Sequence, residues 1–201
     1  MKKPCCALIL LLISAGAGAA DLAAEVRAQL AQTPLLRGEF EQSKQVAGFA
    51  KPLLSSGDFV VARERGVLWN TRKPFANQLK LTRKQIVATQ DGQVAFQLSA
   101  SQEPSVRVIN SLMFSLLSGD VSQLAHQFKI AGSSSPQGWK LSLLPLQPGL
   151  ARLMTQVKLS GDKYVRRIEI IEASGDDTRI RFMPQTSAPA SLTPEESAQF
   201  D

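Results

Sequence analysis

Apolar and polar residues alternate along most of this chain, with a period of two that is typical of β-strands with one buried face. In the first such run, Leu36 and Phe40 alternate with Arg37 and Glu41. Similar runs follow at residues 57–63, 67–71, 77–82, 85–89, 93–98, 127–131, 139–144, 153–159, 164–173 and 178–183. The sequence therefore predicts about ten short antiparallel strands in meander order.

Two stretches have the period of a helix instead. Residues 21–32 begin at the capping residue Asp21, and Leu22, Val26 and Leu30 form one apolar stripe. Residues 103–117 carry a second stripe, made of Val106, Ile109, Leu112, Met113, Leu116 and Leu117. A sheet of about ten strands curls or closes on itself, so we expect these helices to cover its apolar face. The pattern leaves open whether the covered space is a ligand cup or a fully packed core.

The first twenty residues have a charged start and one continuous apolar run. Lys2 and Lys3 precede the apolar residues 5–13, and small residues then lead to a cleavage point after Ala19 or Ala20. This arrangement predicts a cleaved secretory signal peptide at 1–20 and a soluble, exported product.

The exported product would contain 181 residues and no cysteine, because Cys5 and Cys6 both belong to the predicted signal. This excludes disulfides, thiolate catalysis and cysteine-ligated metals from it. The length is that of one domain, which we place at 21–183. Residues 184–201 are rich in Ser, Thr, Ala and Pro, and predict a mobile or loosely docked tail.

The net charge of +6 falls to +4 without Lys2 and Lys3. The remaining basic residues are scattered, without the dense clusters and stacking aromatics of a nucleic-acid surface, so no nucleic-acid partner is expected. A mild attraction to an acidic partner or an anionic lipid face stays open beside an ordinary solvated surface. Nothing argues for an obligate assembly, and we expect a monomer.

The residue patterns of common catalytic sites are missing. His126 is the only histidine, and no Gly-x-Ser-x-Gly segment accompanies it, which favours a structural or exposed histidine. Clustered metal ligands and a glycine-rich phosphate loop are also absent from the sequence. We therefore expect no enzyme activity, no metal and no cofactor.

What remains is apolar surface with few polar groups, which suits an apolar ligand. The strand parity predicts that one face carries Phe59, Val61, Val67, Trp69, Leu79, Leu81, Trp139, Leu141, Leu143, Tyr164, Ile168, Ile170, Ile180 and Phe182. For any one of them an ordinary core position is the simpler interpretation. Arg63 has the same parity, so its guanidinium either bonds carbonyls of a covering helix or reaches water.

Several motifs resemble the periplasmic outer-membrane lipoprotein carrier family, the LolA-like proteins. Phe40-Glu41-Gln42 is similar to the F-x-Q of this family. Residues 57–63 (GDFVVAR), Trp69 and Lys73-Pro74 resemble the family pattern G-x-(apolar)-x-x-x-R-P-x-x-(apolar)-x-W with a following Pro. The predicted helix at 103–117, with Leu112-Met113-Phe114, occupies the place of the family's second lid helix.

The resemblance implies a mainly β (α+β) fold: an incomplete, strongly curved antiparallel β-barrel of about ten strands with two or three helices as a lid over an apolar cavity. It implies a soluble periplasmic carrier that binds the acyl chains of a lipoprotein or similar lipidated cargo and delivers it towards the outer membrane. An inner-membrane donor complex and an outer-membrane acceptor would be its partners, and Arg63 would be the lid latch. The cargo-binding residues expected on this basis are Phe40, Phe59, Val61, Trp69, Leu79, Leu81, Leu112, Met113, Leu116, Trp139, Leu141, Ile168 and Ile170.

The chain also departs from the family pattern. Glu64 stands where a proline is usual, and residues 65–68 are less aromatic than in a typical carrier. Residues 81–87 replace the common S-D-G-x-x-(L/V)-W segment. These departures indicate a divergent branch. They keep two alternatives open: a carrier of a non-protein lipid or lipid-linked pigment, and a lipid- or lipoprotein-sensing adaptor module.

Overall fold

The computed structural model of this chain describes residues 19–102, 114–115 and 121–200. The described part contains helix α1 (Ala19–Gln29), a 3-10 helix (Val121–His126), α2 (Pro148–Ala151) and α3 (Pro194–Phe200). Its eleven strands are β1 (Leu35–Gln45), β2 (Leu53–Ala62), β3 (Gly66–Lys73), β4 (Asn77–Leu81), β5 (Gln85–Gln90), β6 (Gln93–Ser99), β7 (Phe128–Ser135), β8 (Gly138–Pro145), β9 (Met154–Gly161), β10 (Val165–Glu172) and β11 (Asp177–Phe182).

All eleven strands form one antiparallel sheet in the order β6-β5-β4-β3-β2-β1-β11-β10-β9-β8-β7. The sheet is strongly curled but does not close into a barrel, and β6 and β7 are its two edges. The predicted simple meander order is wrong at one place, because β1 pairs with β11 and so lies in the middle of the sheet. Phe40 lies opposite Phe182 in that pairing. Hairpin signals identify neighbours along the chain, whereas this contact joins strands that lie far apart in sequence.

The two faces of the sheet bury different sets of side chains. The inner face carries Phe40, Phe59 and Trp69 and belongs to the main hydrophobic core. The outer face carries Val60 and Leu68, which pack in a smaller cluster. Adjacent residues of β2 and β3 thus face opposite sides, as the alternation of the sequence predicts.

Helix α1 covers part of the inner face near edge strand β7. Ala23, Val26 and Leu30 are buried against this core together with Leu124 and Phe128. The predicted stripe of the first helix therefore faces the sheet. Of the second predicted helix, at 103–117, only 114–115 are described, and both residues are helical.

The C-terminal segment lies on the outer face of the sheet. Arg37 of β1 and Thr186 exchange two backbone hydrogen bonds, with N–O distances of 2.8 and 2.9 Å. Further on, Phe200 of α3 is buried in the outer cluster with Leu35, Val60, Ala62 and Leu68. The domain boundary after residue 183 stays a prediction. The structure shows that the segment after it contacts the sheet through Thr186 and Phe200.

Helix α3 begins with a capping box. The Thr193 hydroxyl accepts from the Glu196 backbone N–H at 3.2 Å, and the Glu196 carboxylate accepts from the Thr193 N–H at 2.8 Å. Arg37 holds the same carboxylate through Nε and Nη2, both at 2.6 Å. Its Nη1 donates to the Pro189 carbonyl at 2.8 Å and its Nη2 to the Ser191 carbonyl at 2.9 Å. One arginine therefore ties the segment before α3, and α3 itself, to the sheet.

Residues 1–18 lie outside the described residues, so the signal peptide stays a prediction. Within the part of the chain that the structure describes, no helix is both long enough and apolar enough to cross a bilayer.

Candidate functional site

Most of the predicted cargo-binding residues lie together on the inner face. Eight are buried there, namely Phe40, Phe59, Val61, Trp69, Leu81, Trp139, Leu141 and Ile168. Leu79 and Ile170 are half-buried and pack against the same core. The remaining three, Leu112, Met113 and Leu116, lie outside the described residues. For all thirteen residues, contact with cargo stays a proposal, because burial in the inner face does not test it.

The centre of the inner face is an aromatic cluster. Trp69 stacks on Phe40 with ring centroids 3.8 Å apart, and the edge of Phe182 meets Phe59 at 5.2 Å. Gly38 lies opposite Phe59, and a Cβ at Gly38 would be only 2.9 Å from the Phe59 ring. The glycine thus gives the Phe59 ring the space to lie across β1. This part of the face is packed solid and offers little surface to a ligand.

In the part of the sheet formed by β8, β9 and β10, hydrogen bonds to Asp162 of the β9–β10 connection fix the buried Trp139. The Trp139 indole Nε1 donates to the Asp162 carbonyl at 2.7 Å, and its ring is buried. The Asp162 carboxylate accepts from the Tyr164 N–H at 2.9 Å and from Arg166 Nε at 3.1 Å. Desolvation opposes ionisation of Asp162, but these bonds outweigh it and lower the pKa of the carboxyl. Trp139 is therefore fixed in the core by its one polar atom.

The accessible apolar surface of the inner face lies at edge strand β6. The side chains of Phe96 and Leu98, here called the β6 strip, are 47% and 40% exposed. A bulge pairs Val94 with Thr89, so Val94 is not part of this face. The register places Phe96 opposite Ala88, which itself lies opposite Leu79. The strip therefore extends the inner face beyond its packed centre. The sequence prediction of the site missed these two residues, although their alternation with Gln97 was visible in the predicted strand.

Arg63 lies in the turn that follows β2. Its backbone N–H donates to the Pro34 carbonyl at 3.0 Å, and Nη2 donates to the Gln32 side chain at 3.0 Å. The side chain is half-buried. The sequence left open either carbonyls of a covering helix or water as the partner of the guanidinium, and the structure shows the Gln32 side chain, in the connection between α1 and β1, as a partner. The latch role itself stays a proposal.

The inner face ends in a group of ion pairs at the ends of the strands opposite to Arg63. Lys44 Nζ lies 2.8 Å from Glu172 and 3.3 Å from Asp176. The Thr178 hydroxyl donates to the same Glu172 carboxylate at 3.1 Å. The hydrogen bond to Glu172 raises the pKa of Lys44, so this lysine stays charged. The apolar face is thus bordered by satisfied charges rather than by reactive groups.

The described residues contain no group of three or more His, Cys, Asp or Glu side chains placed to hold a metal ion. His126 is exposed at the end of the 3-10 helix. The inner face offers apolar contact along β6, and the polar side chains around it are engaged with one another.

Comparisons with known proteins place this arrangement in a family. The family model described as outer membrane lipoprotein carrier protein LolA matches residues 31–194. No curated protein matches the chain. The match extends from the connection after α1 to the start of α3, and so includes every strand of the sheet.

Three solved structures are similar to this chain at low sequence identity, one of them with a TM-score above 0.5. A DUF1329 family protein from Desulfovibrio piger is 12% identical, with 91% of this chain and 95% of that chain covered and a TM-score of 0.51. A LolA superfamily protein from Nitrosomonas europaea is 9% identical, with 89% and 96% covered and a TM-score of 0.46. An outer membrane lipoprotein-sorting protein domain from Vibrio parahaemolyticus is 10% identical, with 90% and 96% covered and a TM-score of 0.48.

The family model matches far more than half of the chain, and the curled open sheet of eleven strands is the open barrel of LolA-like proteins. This chain therefore belongs to the outer membrane lipoprotein carrier protein LolA family.

Proposed function

We propose that this protein is a periplasmic carrier that holds the acyl chains of a lipidated cargo against the inner face of its sheet and delivers the cargo towards the outer membrane. The observation that supports the proposal is the β6 strip, where two large apolar side chains of the inner face are exposed at the open edge. Membership of a family described as lipoprotein carriers agrees with it. An inner-membrane donor and an outer-membrane acceptor belong to the same proposal.

The strip is where an acyl chain would first make contact. Phe40 and Phe59 are each only 1% exposed, so a chain reaches them only if the core opens. Each methylene removed from water contributes about 0.8 kcal/mol, so ten buried methylenes would contribute about 8 kcal/mol. That corresponds to a dissociation constant on the order of 1 μM, which allows both capture and release.

The test is binding of a pyrene-labelled fatty acid, followed by fluorescence. Phe96→Asp places a charge on the strip, and we expect the dissociation constant to rise roughly 30-fold. That factor corresponds to about 2 kcal/mol, or the lost contact of two to three methylenes. The matched control is Gln97→Asp, which adds the same charge to the other side of β6 and should change the constant less than twofold.

Absence of saturable binding to the wild-type protein would contradict the proposal, as would equal binding by both variants. The nature of the cargo needs a second measurement, mass spectrometry of material extracted from the protein purified from its native compartment. Acylated peptide or intact lipoprotein supports lipoprotein transport. Free lipid or a lipid-linked pigment keeps the carrier and replaces the cargo, and an empty protein that also fails to take up the probe favours an adaptor.

Arg63 is proposed to act as the latch through its hydrogen bond to Gln32, which lies just after α1. Arg63→Leu removes this bond, and we expect the probe to leave roughly 2- to 10-fold faster, since one such bond contributes about 0.5–1.5 kcal/mol. Stopped-flow transfer to acceptor vesicles measures the rate. The control is Arg83→Leu, in the exposed β4–β5 turn, which lies at the same end of the strands as Arg63. Transfer kinetics identical to the wild type would remove Arg63 from the mechanism.

A further inference from the structure

Three of the five connections at one end of the strands have similar compositions, while the other two, β5–β6 and β10–β11, carry Asp91 and Asp176. Neighbouring strands run in opposite directions, so the β1–β2, β3–β4 and β8–β9 connections all lie at the same end of the strands. Residues 46–54 read VAGFAKPLL, residues 73–76 read KPFA, and residues 144–153 read LPLQPGLARL. Each segment contains one cation, several apolar residues and no acidic residue. We call these three segments the loop rim.

Large apolar side chains of the loop rim are exposed. Phe75 is 74% exposed, Leu54 66% and Phe49 62%, and Leu53 and Leu146 are each 58% exposed. Such residues normally occur singly on a soluble surface, and an accumulation of them marks a surface that contacts another apolar phase. They lie outside the main core, so their exposure is not needed to hold the sheet together.

The cations of the loop rim are exposed as well. Lys51, Lys73 and Arg152 each stand within a few residues of an exposed apolar side chain. Among the described residues, none of these three cations has an ion-pair partner. The acidic side chains at the neighbouring β10–β11 connection, Glu172 and Asp176, are paired with Lys44. The three rim segments themselves combine Phe and Leu with Lys and Arg, which suits the interface of a bilayer with anionic headgroups.

A cleft on the outer face continues the positive surface of the loop rim. It has a volume of about 680 Å³, and Leu54 of the rim lines it. Its charged lining consists of four cations and two acids, so cations predominate: Lys73, Arg167, Arg179, Arg181, Glu41 and Glu169. This volume is large enough to admit a headgroup beside the exposed Leu54.

Arg167 lies directly opposite Arg181 in the β10–β11 pairing, and like charges in that position destabilise a sheet. Arg181 is paired with Glu41 at 2.6 Å and Arg179 with Asp177 at 2.8 Å. For Arg167, the described residues supply no ion-pair partner. An anion in the cleft would relieve the repulsion between the two opposed arginines.

We propose that the loop rim and the adjoining cleft dock on a bilayer that carries anionic phosphate headgroups. Phe49, Leu54 and Phe75 enter the interfacial region, while Lys51 and Lys73 contact the phosphates. Docking of this kind brings the protein to a membrane without a lipid anchor or a spanning helix. It does not require a cargo, because the rim is separate from the β6 strip.

Co-sedimentation with vesicles tests the proposal, using the processed protein purified from its native host. The wild type should bind vesicles of phosphatidylcholine with one quarter phosphatidylglycerol at least tenfold more tightly than vesicles of phosphatidylcholine alone. Added salt should weaken this preference, since it screens the headgroup charge. Equal binding to both vesicles, or no binding to either, would overturn the proposal; the second result would assign the rim to a protein partner.

Two variants locate the contact. The triple variant Phe49→Ser/Leu54→Ser/Phe75→Ser should bind anionic vesicles at least tenfold more weakly, because it removes the inserted side chains. The double variant Lys51→Glu/Lys73→Glu should lose the preference for phosphatidylglycerol. All five residues are exposed, so we expect both variants to fold. Wild-type vesicle binding by either variant would contradict the assignment of the rim.

Matched controls separate this surface from cargo binding. Arg83→Glu/Lys84→Glu also reverses two positive charges, but in the β4–β5 turn at the other end of the strands. Phe96→Ser/Leu98→Ser removes apolar side chains from the β6 strip. Both controls should bind anionic vesicles as the wild type does. The rim triple variant should in turn bind the pyrene-labelled fatty acid normally, so failure of membrane docking and failure of the carrier function give different results.

Discussion

Trp69→Ala is expected to lower the free energy of unfolding by about 3–5 kcal/mol, because it removes the largest ring at the centre of the sheet. Trp69 is 7% exposed and stacks on Phe40, while its edge faces the Phe182 ring at 6.1 Å. These rings come from β3, β1 and β11, so they join the two halves of the sheet. The cavity left by the indole would border all three strands, and they cannot close around it without moving the pairing of β1 with β11.

Thermal and urea unfolding measure this effect. For a domain of this size, the loss corresponds to a fall in melting temperature of about 10 °C. Phe75→Ala is the matched control, since it removes another aromatic side chain that is 74% exposed, and should change the free energy of unfolding by less than about 0.5 kcal/mol. Similar stability for Trp69→Ala and the control would show that the aromatic cluster does not hold the two halves together.

Arg37→Ala is expected to lower the free energy of unfolding by about 2 kcal/mol. The Arg37 and Glu196 side chains are only 15% and 16% exposed, and the variant leaves this carboxylate without its cation. Hydrogen bonds to charged groups contribute about 1.5–3 kcal/mol, and two more bonds from Arg37 to the carbonyls before α3 are lost with them. The segment from 184 to 200 should therefore become more susceptible to proteolysis before the sheet unfolds.

A double-mutant cycle separates the ion pair from the rest of the effect. Glu196→Ala should cost less in the Arg37→Ala protein than in the wild type, with a coupling of about 1 kcal/mol or more. Additive losses would mean that the two side chains do not act on each other. Arg181→Ala, which breaks a more exposed ion pair with Glu41, is the control and should cost less than about 1 kcal/mol.

The same ion pair should make stability depend on pH. The hydrogen bond from Arg37 lowers the pKa of Glu196 from its ordinary value of 4.5. A carboxyl with a lowered pKa in the folded state stabilises that state above the unfolded pKa, and this contribution is lost as the pH falls through the folded pKa. The difference between wild type and Glu196→Gln, measured by urea unfolding, should therefore be full at pH 6 and shrink below about pH 4.5. A difference that stays constant over this range would contradict the pairing.

The sequence by itself determined the local structure and the two faces of the sheet. Alternation with a period of two places Phe59 and Val61 on one face and Val60 on the other, because successive side chains of a strand point in opposite directions. The helical stripe of Leu22, Val26 and Leu30 likewise indicates the buried side of the first helix. The family motifs lie in these same strands, so the family and the open-barrel fold could also be predicted from the sequence.

Tertiary structure alone decided which surfaces are accessible. Phe40 and Phe96 are both phenylalanines of the inner face, yet Phe40 is 1% exposed and Phe96 is 47% exposed. The difference arises because β1 pairs with β11 and becomes central, whereas β6 is left at an edge. The same long-range pairing places Arg37 beside the C-terminal segment and Glu41 opposite Arg181. A local pattern reports the direction of each side chain along its own strand, but its neighbours come from strands whose pairing depends on the whole sheet.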